Sequence, residues 1–419
     1  MQKIVNFIKE KCQPIVAFCK WVVIGIAVGA VVGLVGCAFY LALGFVGETR
    51  EKYTWLIWLM PLAGLLIVFL YRASGVSKSG GTNIVLLAVR SEEDIPFKMA
   101  PLIFIATILT HLVGGSAGRE GAALQLGGSI AHQMGKIIKL DRKDLHIITM
   151  CGMSACFAAV FGTPIAAAVF ALEVVSVGVM YYAAIVPCAI AALVSMLVGG
   201  LFGVIHPAMP IAAIPVISPE TLALTLALGV LCALVSLAFC KMLTGASRLA
   251  ERYVKNQYAR VLAGSALILV LTMLVGTRDY MGAGVGIIAR AIEGNARPEA
   301  FILKMVFTSI TLAAAFKGGE IVPTMFIGAT FGAAVGAFLG LPPSFCAGVA
   351  MIAVFCGVTN CPITSMLIGI ELFGTEIAPY LLIACAASYM LSGYSGLYSK
   401  QKIMYSKLRP EFVNKHIEH

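Results

Sequence analysis

Apolar residues form long, nearly unbroken stretches along most of this chain. A helix needs about 20 apolar residues, and at least roughly 17, to cross a bilayer. Four stretches reach this length, namely Trp21–Val46, Trp55–Tyr71, Tyr181–Val204 and Leu222–Cys240, and a fifth apolar stretch, Leu262–Val275, is shorter at 14 residues. The pattern predicts an all-α polytopic membrane protein whose helices are surrounded by the lipid bilayer.

Composition agrees with the pattern, and charge adds an orientation. Of 419 residues, 60% are hydrophobic and 12% are charged, with a mean hydropathy of +0.96. The net charge of +10 does not indicate nucleic acid, because the basic residues sit at the ends of apolar segments. By the positive-inside rule, both termini and one short loop are predicted to be cytoplasmic. The residues concerned are Lys3, Lys9, Lys11, Lys20, Lys136, Lys139, Arg142, Lys143, Lys400, Lys402, Lys407 and Arg409.

The ends of the chain and its cysteines suggest no additional module. The run after Lys20 is too long for a cleavable signal and is expected to form the first membrane helix, after a short amphipathic stretch at the surface. The twelve cysteines are scattered singly, which favours buried thiols over disulfides or metal ligands. We expect no metal, no cofactor and no appended soluble domain.

Two features occur once in each half of the chain. Pro164 precedes Glu173 by nine residues, and Pro362 precedes Glu371 by nine, at an offset of 198 residues. The segments beginning at Gly118 and Gly319 are offset by 201, and their later glycines, Gly127 and Gly328, keep that offset. The order and spacing predict an internal repeat, with a first repeat over 21–210, a second over 211–400, and cytoplasmic ends at 1–20 and 401–419.

Glycine- and proline-broken segments at matching places in two repeats are typical of a transporter binding site. A helix that begins at mid-membrane presents unpaired N–H groups and the positive end of its dipole, which suits an anion. Two such helix starts, aimed at one point, would bind a dehydrated anion without a full positive charge. A third glycine-led segment, Ser77–Arg90, is equally compatible with a surface loop and with a re-entrant half-helix.

Glu120 is the most informative charged residue, because an ionisable group at membrane depth is a functional candidate by default. A salt bridge with Arg119 is disfavoured, since adjacent residues on a helix do not face each other. A carboxylate at a helix start can occupy an anion site, and its protonation would release it. Glu120 is therefore predicted to couple proton binding to anion access.

The other polar residues within apolar segments leave alternatives open. Glu320 can cap a helix, with Lys317 as its partner, or handle protons. The symmetric positions of Glu173 and Glu371 favour a shared structural role, such as binding a loop backbone, over a chemical one. His111 is expected to be a satisfied buried imidazole, and Tyr398 is either an interfacial anchor or a phenol that donates to an anion.

No nucleotide-binding or hydrolase motif is present, so an enzyme or an ATP-driven pump is not indicated. Energy must then come from ion gradients, or transport is passive. A membrane scaffold that transports nothing is disfavoured by the buried Glu120 and the paired glycine breaks.

These residues resemble the CLC family of chloride channels and transporters over essentially the whole chain. The family's three anion-binding motifs are GSGIP, GREGP and GxFxP, followed by a late tyrosine. GREGP is matched by Gly118–Ala122, with alanine in place of proline, and the tyrosine by Tyr398. The resemblance implies two inverted-topology repeats with broken and re-entrant helices, a homodimer with one pore per subunit, and Glu120 as the gate.

The departures from the motifs indicate one branch of this family. GSGIP reads Gly81-Thr82-Asn83-Ile84-Val85, and GxFxP reads Gly319-Glu320-Ile321-Val322-Pro323. The internal proton-transfer glutamate of chloride/proton exchangers is replaced by Val174. The pattern is similar to that of the fluoride/proton antiporters, which have Asn in the first motif and Glu in the third.

The resemblance thus implies a fluoride/proton antiporter of a bacterial inner membrane. A chloride/proton exchanger and a passive anion channel are the alternatives. Glu120 would carry the proton and Glu320 would be a second protonatable group. The other implied anion-binding residues are Thr82, Asn83, Arg119, Gly121, Ile321, Val322 and Tyr398, with helix-start glycines at Gly81, Gly118 and Gly319.

Overall fold

The computed structural model describes residues 2–76, 81–90, 93–206 and 209–417, and the side chains of 2–11 are outside the description. The first half contains eight α-helices within these residues. They are α1 (Gln2–Lys52), α2 (Met60–Ala73), α3 (Asn83–Val89), α4 (Met99–Leu112), α5 (Glu120–Ile137), α6 (Arg142–Phe161), α7 (Pro164–Glu173) and α8 (Ile185–Leu201).

The second half repeats this order. Its helices are α9 (Pro219–Tyr253), α10 (Gln257–Val275), α11 (Val285–Ile292), α12 (Ala300–Ala313), α13 (Ile321–Leu339), α14 (Pro343–Thr359), α15 (Pro362–Phe373) and α16 (Ala378–Leu391). The described part of the chain also contains three short strands, β1 (Ser176–Val177), β2 (Lys402–Tyr405) and β3 (Phe412–His416). Helices α4, α5 and α6 begin 201 residues before α12, α13 and α14, so the repeat extends well beyond the motifs that predicted it.

Among the described residues, seven helical segments are long and apolar enough to cross a membrane. Burial distinguishes central helices from peripheral ones. In the most apolar part of each helix, 72% of α6 and 78% of α13 is buried inside the protein, but only 22% of α10. Large apolar side chains on the outer helices, such as Leu234 and Leu274, are exposed. Because exposed apolar surface of this extent is unstable in water, these faces are suited to lipid.

Close packing at the centre depends on glycine in both repeats. A Cβ on Gly127 of α5 would clash with the carbonyl oxygen of Gly152 in α6. In the second repeat, a Cβ on Gly328 of α13 would lie 2.6 Å from the carbonyl oxygen of Ala350 in α14. The two glycines are the pair found at offset 201, and they bring the backbones of neighbouring helices together as small residues do in membranes.

Glu173 and Glu371 show that the two halves are inverted. Glu173 ends α7, and its carboxylate accepts hydrogen bonds from Ile363 N (3.2 Å) and Thr364 N (2.8 Å) in the first turn of α15. Glu371, in the last turn of α15, accepts from Ile165 N (3.0 Å) and Ala166 N (2.8 Å) in the first turn of α7. Each helix thus places its last turn against the other's first turn, so α7 and α15 run antiparallel. The predicted structural role of these glutamates is confirmed.

The cysteine prediction is also confirmed, because all twelve thiols are free and all except Cys12 and Cys19 are buried. The structure adds detail at both chain ends. The stretch before Lys20 is helical and continuous with the first span, since α1 begins at Gln2. The segment predicted to be a cytoplasmic tail contains β2 and β3, and β2 pairs in parallel with β1 and antiparallel with β3.

Buried polar side chains hold this tail against the helices. Gln401 donates to the carbonyl oxygens of Val174 and Thr359, each at 2.9 Å. The Lys407 ammonium donates to Asn360 Oδ1, and to Tyr389 O and Ser392 Oγ at 3.1 Å. Burial lowers the pKa of Lys407 to about 8. Hydrophobicity gave no sign of this structure, because the tail is anchored by hydrogen bonds to residues far away in sequence.

The reciprocal caps give a stability prediction. Glu371→Ala removes both acceptors from the first turn of α7 and should cost about 1–2 kcal/mol, the usual range for a lost helix cap. The melting temperature of the detergent-solubilised protein should fall accordingly. Glu376→Ala is the matched control, because this glutamate is exposed a few residues further on. Equal melting temperatures for the two variants would contradict the capping role.

Candidate anion and proton site

The site lies where the starts of α5 and α13 meet, each preceded by a glycine. Gly118 N donates to Gly319 O at 2.6 Å, and Gly319 N donates to Gly118 O at 2.7 Å, in an isolated antiparallel bridge. Two segments from opposite halves are thereby joined at one point. The prediction that two broken helices are aimed at a common centre is confirmed by this geometry.

Backbone N–H groups from two helix starts surround this bridge. Glu120 and Gly121 open α5, and Ile321 and Val322 open α13, so their N–H groups lie in first turns that have no intrahelical acceptors. The positive ends of both helix dipoles converge on the same place. An anion would be stabilised here by partial charges rather than by a full cation.

Glu120 occupies this place with its own carboxylate. The side chain is fully buried, and its Oε2 accepts a hydrogen bond from Arg119 N at 3.1 Å. That N–H was expected to line the anion path, and a tethered carboxylate now binds it. A free anion that uses the Arg119 N–H must therefore displace Glu120.

The expectation that Arg119 would not pair with Glu120 was wrong. Arg119 Nε lies 3.4 Å from Glu120 Oε1. The rule for adjacent residues holds inside a helix, whereas Arg119 is the N-cap of α5, with φ −118°, and only Glu120 lies within the helix. Its guanidinium also stacks 4.6 Å from the centre of the Tyr40 ring.

Arg119 lies at the boundary between the buried site and a cavity of about 780 Å³, called here the vestibule. Its charged lining includes Glu48, Arg50, Glu51, Arg119, Arg278, Asp279 and Arg290. His111 also faces the vestibule. Its Nδ1 donates to Thr107 O at 2.9 Å, but its Nε2 is buried without a partner among the described residues, so the expected satisfied imidazole is only half satisfied.

Glu320 brings a second carboxylate to the meeting point. It is the N-cap of α13, and its side chain makes no capping hydrogen bond, so an interaction with the helix dipole and a role in proton handling both stay open. Its Oε2 would lie 3.5 Å from a Cβ placed on Gly121. The expected partner, Lys317, places its ammonium 4.8 Å from the centre of the Tyr71 ring.

Tyr398 is buried at the site rather than anchored at an interface. It is 2% exposed and lies within electrostatic range of Glu320 and Glu120. Its hydroxyl has no hydrogen-bond partner among the described residues. Since buried hydroxyls are nearly always paired, this one is suited to donate to a transported anion.

Thr82 and Asn83 open the third glycine-led segment, which forms the short buried helix α3. The structure therefore favours a half-helix over a surface loop, although 77–80 of that segment lie outside the described residues. Gly81 precedes α3 with φ +60°. Thr82 Oγ1 donates to Gly121 O at 3.2 Å, and Asn83 Oδ1 accepts from Lys400 N at 3.0 Å.

One residue of the site escaped the sequence analysis. Gln125 is 3% exposed, and its Nε2 lies 3.3 Å from both Thr82 Oγ1 and Gly121 O. A polar signal was available, because Gln125 is the only polar side chain between Gly121 and Gly127. Its partner Thr82 is 43 residues away, which is why spacing did not reveal the contact.

A fold of two inverted repeats with two helix starts meeting inside the membrane defines an ion channel or transporter. Comparison with known proteins gives the family. Residues 63–393 match the family model for the voltage gated chloride channel, and the chain belongs to this CLC family. The resemblance inferred from the GREG element is thereby confirmed.

Two similar proteins concern fluoride. A chloride/fluoride channel protein of Pseudomonas syringae pv. tomato is 36% identical over 395 residues, which is 93% of this chain and 87% of the relative. The crystal structure of a CLC-type fluoride/proton antiporter superposes with a TM-score of 0.88 at 30% identity, over 91% of this chain and 98% of the other.

More distant similarity extends to chloride exchangers. An H(+)/Cl(-) exchange transporter of Vibrio campbellii is 26% identical over 415 residues, covering 89% of this chain and 87% of the relative. A slow cyanobacterial Cl-/H+ antiporter has the same fold, with a TM-score of 0.77 at 18% identity over 89% of this chain and 94% of the other.

The glycine bridge gives a prediction for the site. A Cβ on Gly319 would lie 2.6 Å from the Gly121 nitrogen, so Gly319→Ala should force the two helix starts apart. Anion flux into liposomes should fall at least about tenfold while the protein still elutes as a single species in size-exclusion chromatography. Gly44→Ala is the control, because nothing lies within 4 Å of that position. Normal flux through Gly319→Ala would show that the bridge does not shape the site.

Proposed function

We propose that this protein is a fluoride/proton antiporter that exports fluoride from the cytoplasm, driven by proton influx. The observation that carries the proposal is the buried Glu120 carboxylate on the Arg119 N–H, at the meeting point of the two helix starts. The names of the two fluoride-related proteins support the anion assignment.

The exchange follows from the charge of Glu120. An ionised Glu120 competes with a free anion for the same N–H groups, because both carry one negative charge. A protonated Glu120 no longer competes, so its side chain leaves and the anion enters. One group thus alternates between carrying a proton and occupying the anion site, which links the two movements in opposite directions.

Val174 stands where chloride/proton exchangers have their internal proton-transfer glutamate, so the cytoplasmic part of the proton route has no carboxylate at this position. Val174 is buried, and its carbonyl oxygen accepts from the Gln401 amide, which does not titrate. Glu320, beside Gly121, is the second carboxylate at the meeting point. Glu120 therefore reaches both sides of the barrier itself, with Glu320 as the neighbouring acceptor.

The donors suit fluoride. Fluoride is small and strongly hydrated, so a site must replace its water with strong, closely placed donors. Backbone N–H groups at two helix starts and the unpaired Tyr398 hydroxyl are donors of this kind. Hydrogen fluoride crosses membranes as a neutral acid and dissociates inside, so a cell needs export against accumulated fluoride.

The setting completes the proposal. The basic residues at both chain ends support cytoplasmic termini in a bacterial inner membrane, with the vestibule on the opposite side. Each chain contains both repeats and therefore a complete site. Assembly as a homodimer with one independent path per subunit follows the family resemblance.

The central test measures both ions together. Protein in liposomes loaded with fluoride should release fluoride and take up protons, and a fluoride gradient should drive protons uphill. Chloride should give a much smaller flux. Equal chloride flux would replace the fluoride assignment by chloride/proton exchange, and fluoride flux without proton movement would make the protein a passive channel.

The gate has its own test. Glu120→Ala removes the titrating carboxylate, so fluoride flux should no longer move protons, whatever its rate. Glu220→Gln is the control, because Glu220 is exposed in the first turn of α9, and it should keep the wild-type coupling. Proton pumping retained by Glu120→Ala would refute the role assigned to Glu120.

A further inference from the structure

Three buried polar groups link the re-entrant helix α3 to the start of the gating helix α5. Thr82 Oγ1 lies 3.2 Å from Gly121 O, and Gln125 Nε2 lies 3.3 Å from both of these atoms. Thr82 is 6% and Gln125 3% exposed, so water does not compete for these bonds. Gln125 follows Gly121 by one helical turn, and its side chain reaches back toward the helix start, as helical side chains do.

The direction of each hydrogen bond is fixed by chemistry. A carbonyl oxygen only accepts, so the Thr82 hydroxyl donates its single hydrogen to Gly121 O. The Gln125 amide nitrogen only donates, so it binds a lone pair of Thr82 Oγ1 and shares Gly121 O. The Thr82 hydrogen is thereby committed to α5, and it is not directed at an anion.

Asn83, next to Thr82 at the start of α3, makes a second link. Its Oδ1 accepts from Lys400 N at 3.0 Å, two residues after Tyr398. The same turn is closed by Gln401 N, which donates to Tyr398 O at 2.9 Å. Thr82 therefore connects α3 to Gly121, next to Glu120, and the adjacent Asn83 connects it to the turn that carries Tyr398.

We propose that Gln125 is a positioning residue, which with Thr82 and Asn83 forms a clasp that holds Glu120 and Tyr398 in register across α3. Thr82 and Asn83 act in this clasp as structural links rather than as anion ligands, contrary to what the resemblance implies for these positions. The inference rests on the proposed function, because the gate that the clasp positions is the proton carrier of that mechanism.

A clasp and a ligand respond differently to substitution. Thr82→Val keeps the shape of the side chain but removes the hydroxyl, and Gln125→Leu removes the amide. If both act through one clasp, either change loosens Gly121, and the double variant is no worse than the worse single one. If Thr82 binds the anion, Thr82→Val weakens fluoride binding whether or not Gln125 is present.

The experiment measures the ratio of protons to fluoride moved, together with the fluoride KM, in liposomes containing the full chain. Thr82→Val, Gln125→Leu and the double variant should each lower the proton-to-fluoride ratio at least about twofold, by leak past a loosened gate, with KM unchanged. Thr82→Ser keeps a hydroxyl and should retain the wild-type ratio.

Gln133→Leu is the matched control. It lies two turns further along α5, and its Nε2 donates to Ile95 O at 2.6 Å, so it loses a similar bond away from the gate. Its ratio should equal that of the wild type. A raised KM for Thr82→Val with unchanged coupling would overturn the clasp and make Thr82 a ligand. Wild-type coupling in Gln125→Leu, or losses that add in the double variant, would also overturn it.

A second readout separates this inference from the proposed function. Melting temperatures in detergent can be measured without transport, for the wild type, Thr82→Val, Gln125→Leu and the double variant. The melting temperature of the double variant should be no lower than that of the less stable single variant. If the wild type moves chloride instead of fluoride, the proposed anion is wrong while the coupling ratio still tests the clasp. If the wild type moves no protons, antiport fails, and additive melting losses would then decide against the clasp separately.

Discussion

The reciprocal hydrogen bonds between Gly118 and Gly319 are the constraint on which the rest of the structure depends. A helix start inside a membrane leaves N–H groups that lipid cannot satisfy, and each unsatisfied group costs several kcal/mol in hydrocarbon, of the order of 2–7 kcal/mol. When two such starts lie against each other inside the protein, their N–H groups are shielded from lipid and can bind an anion. Glycine is required at 319, where a Cβ would lie 2.6 Å from Gly121 N, and a Cβ at 118 would be tight, at 3.0 Å from Pro323 Cδ.

Everything around this bridge keeps the two starts aligned. Helices α5 and α13 pack on α6 and α14 through glycines at the same offset, which fixes their axes. The exchanged caps from Glu173 and Glu371 hold α7 and α15 antiparallel, so the inverted relationship of the halves is also locked away from the site. Two buried carboxylates of this fold thus differ in how they are bound. Glu173 is held by backbone donors at a helix start, whereas Glu120 has a donor that an anion can take from it.

The sequence was sufficient for features that repeat or that are local. Long apolar runs predicted five of the seven spans in the described residues. Glycine and proline spacing predicted the repeat, the paired helix starts and the structural role of Glu173 and Glu371. It failed where a contact joins distant residues through polar atoms. The tail sheet depends on Gln401 reaching Val174, which is 227 residues away. Asn83 binds Lys400 across 317 residues, and no periodicity records such a bond.

A different kind of error concerned Arg119, where a rule valid inside helices was applied to a residue that only caps one. The correction changes the picture of the gate. Glu120 is held by one backbone N–H and by a guanidinium that is itself shared with the Tyr40 ring and lines the vestibule. An ionised Glu120 is therefore stabilised from the vestibule side by Arg119. In the proposed function, protonation weakens both contacts, so proton entry from the vestibule and release of Glu120 would be one event.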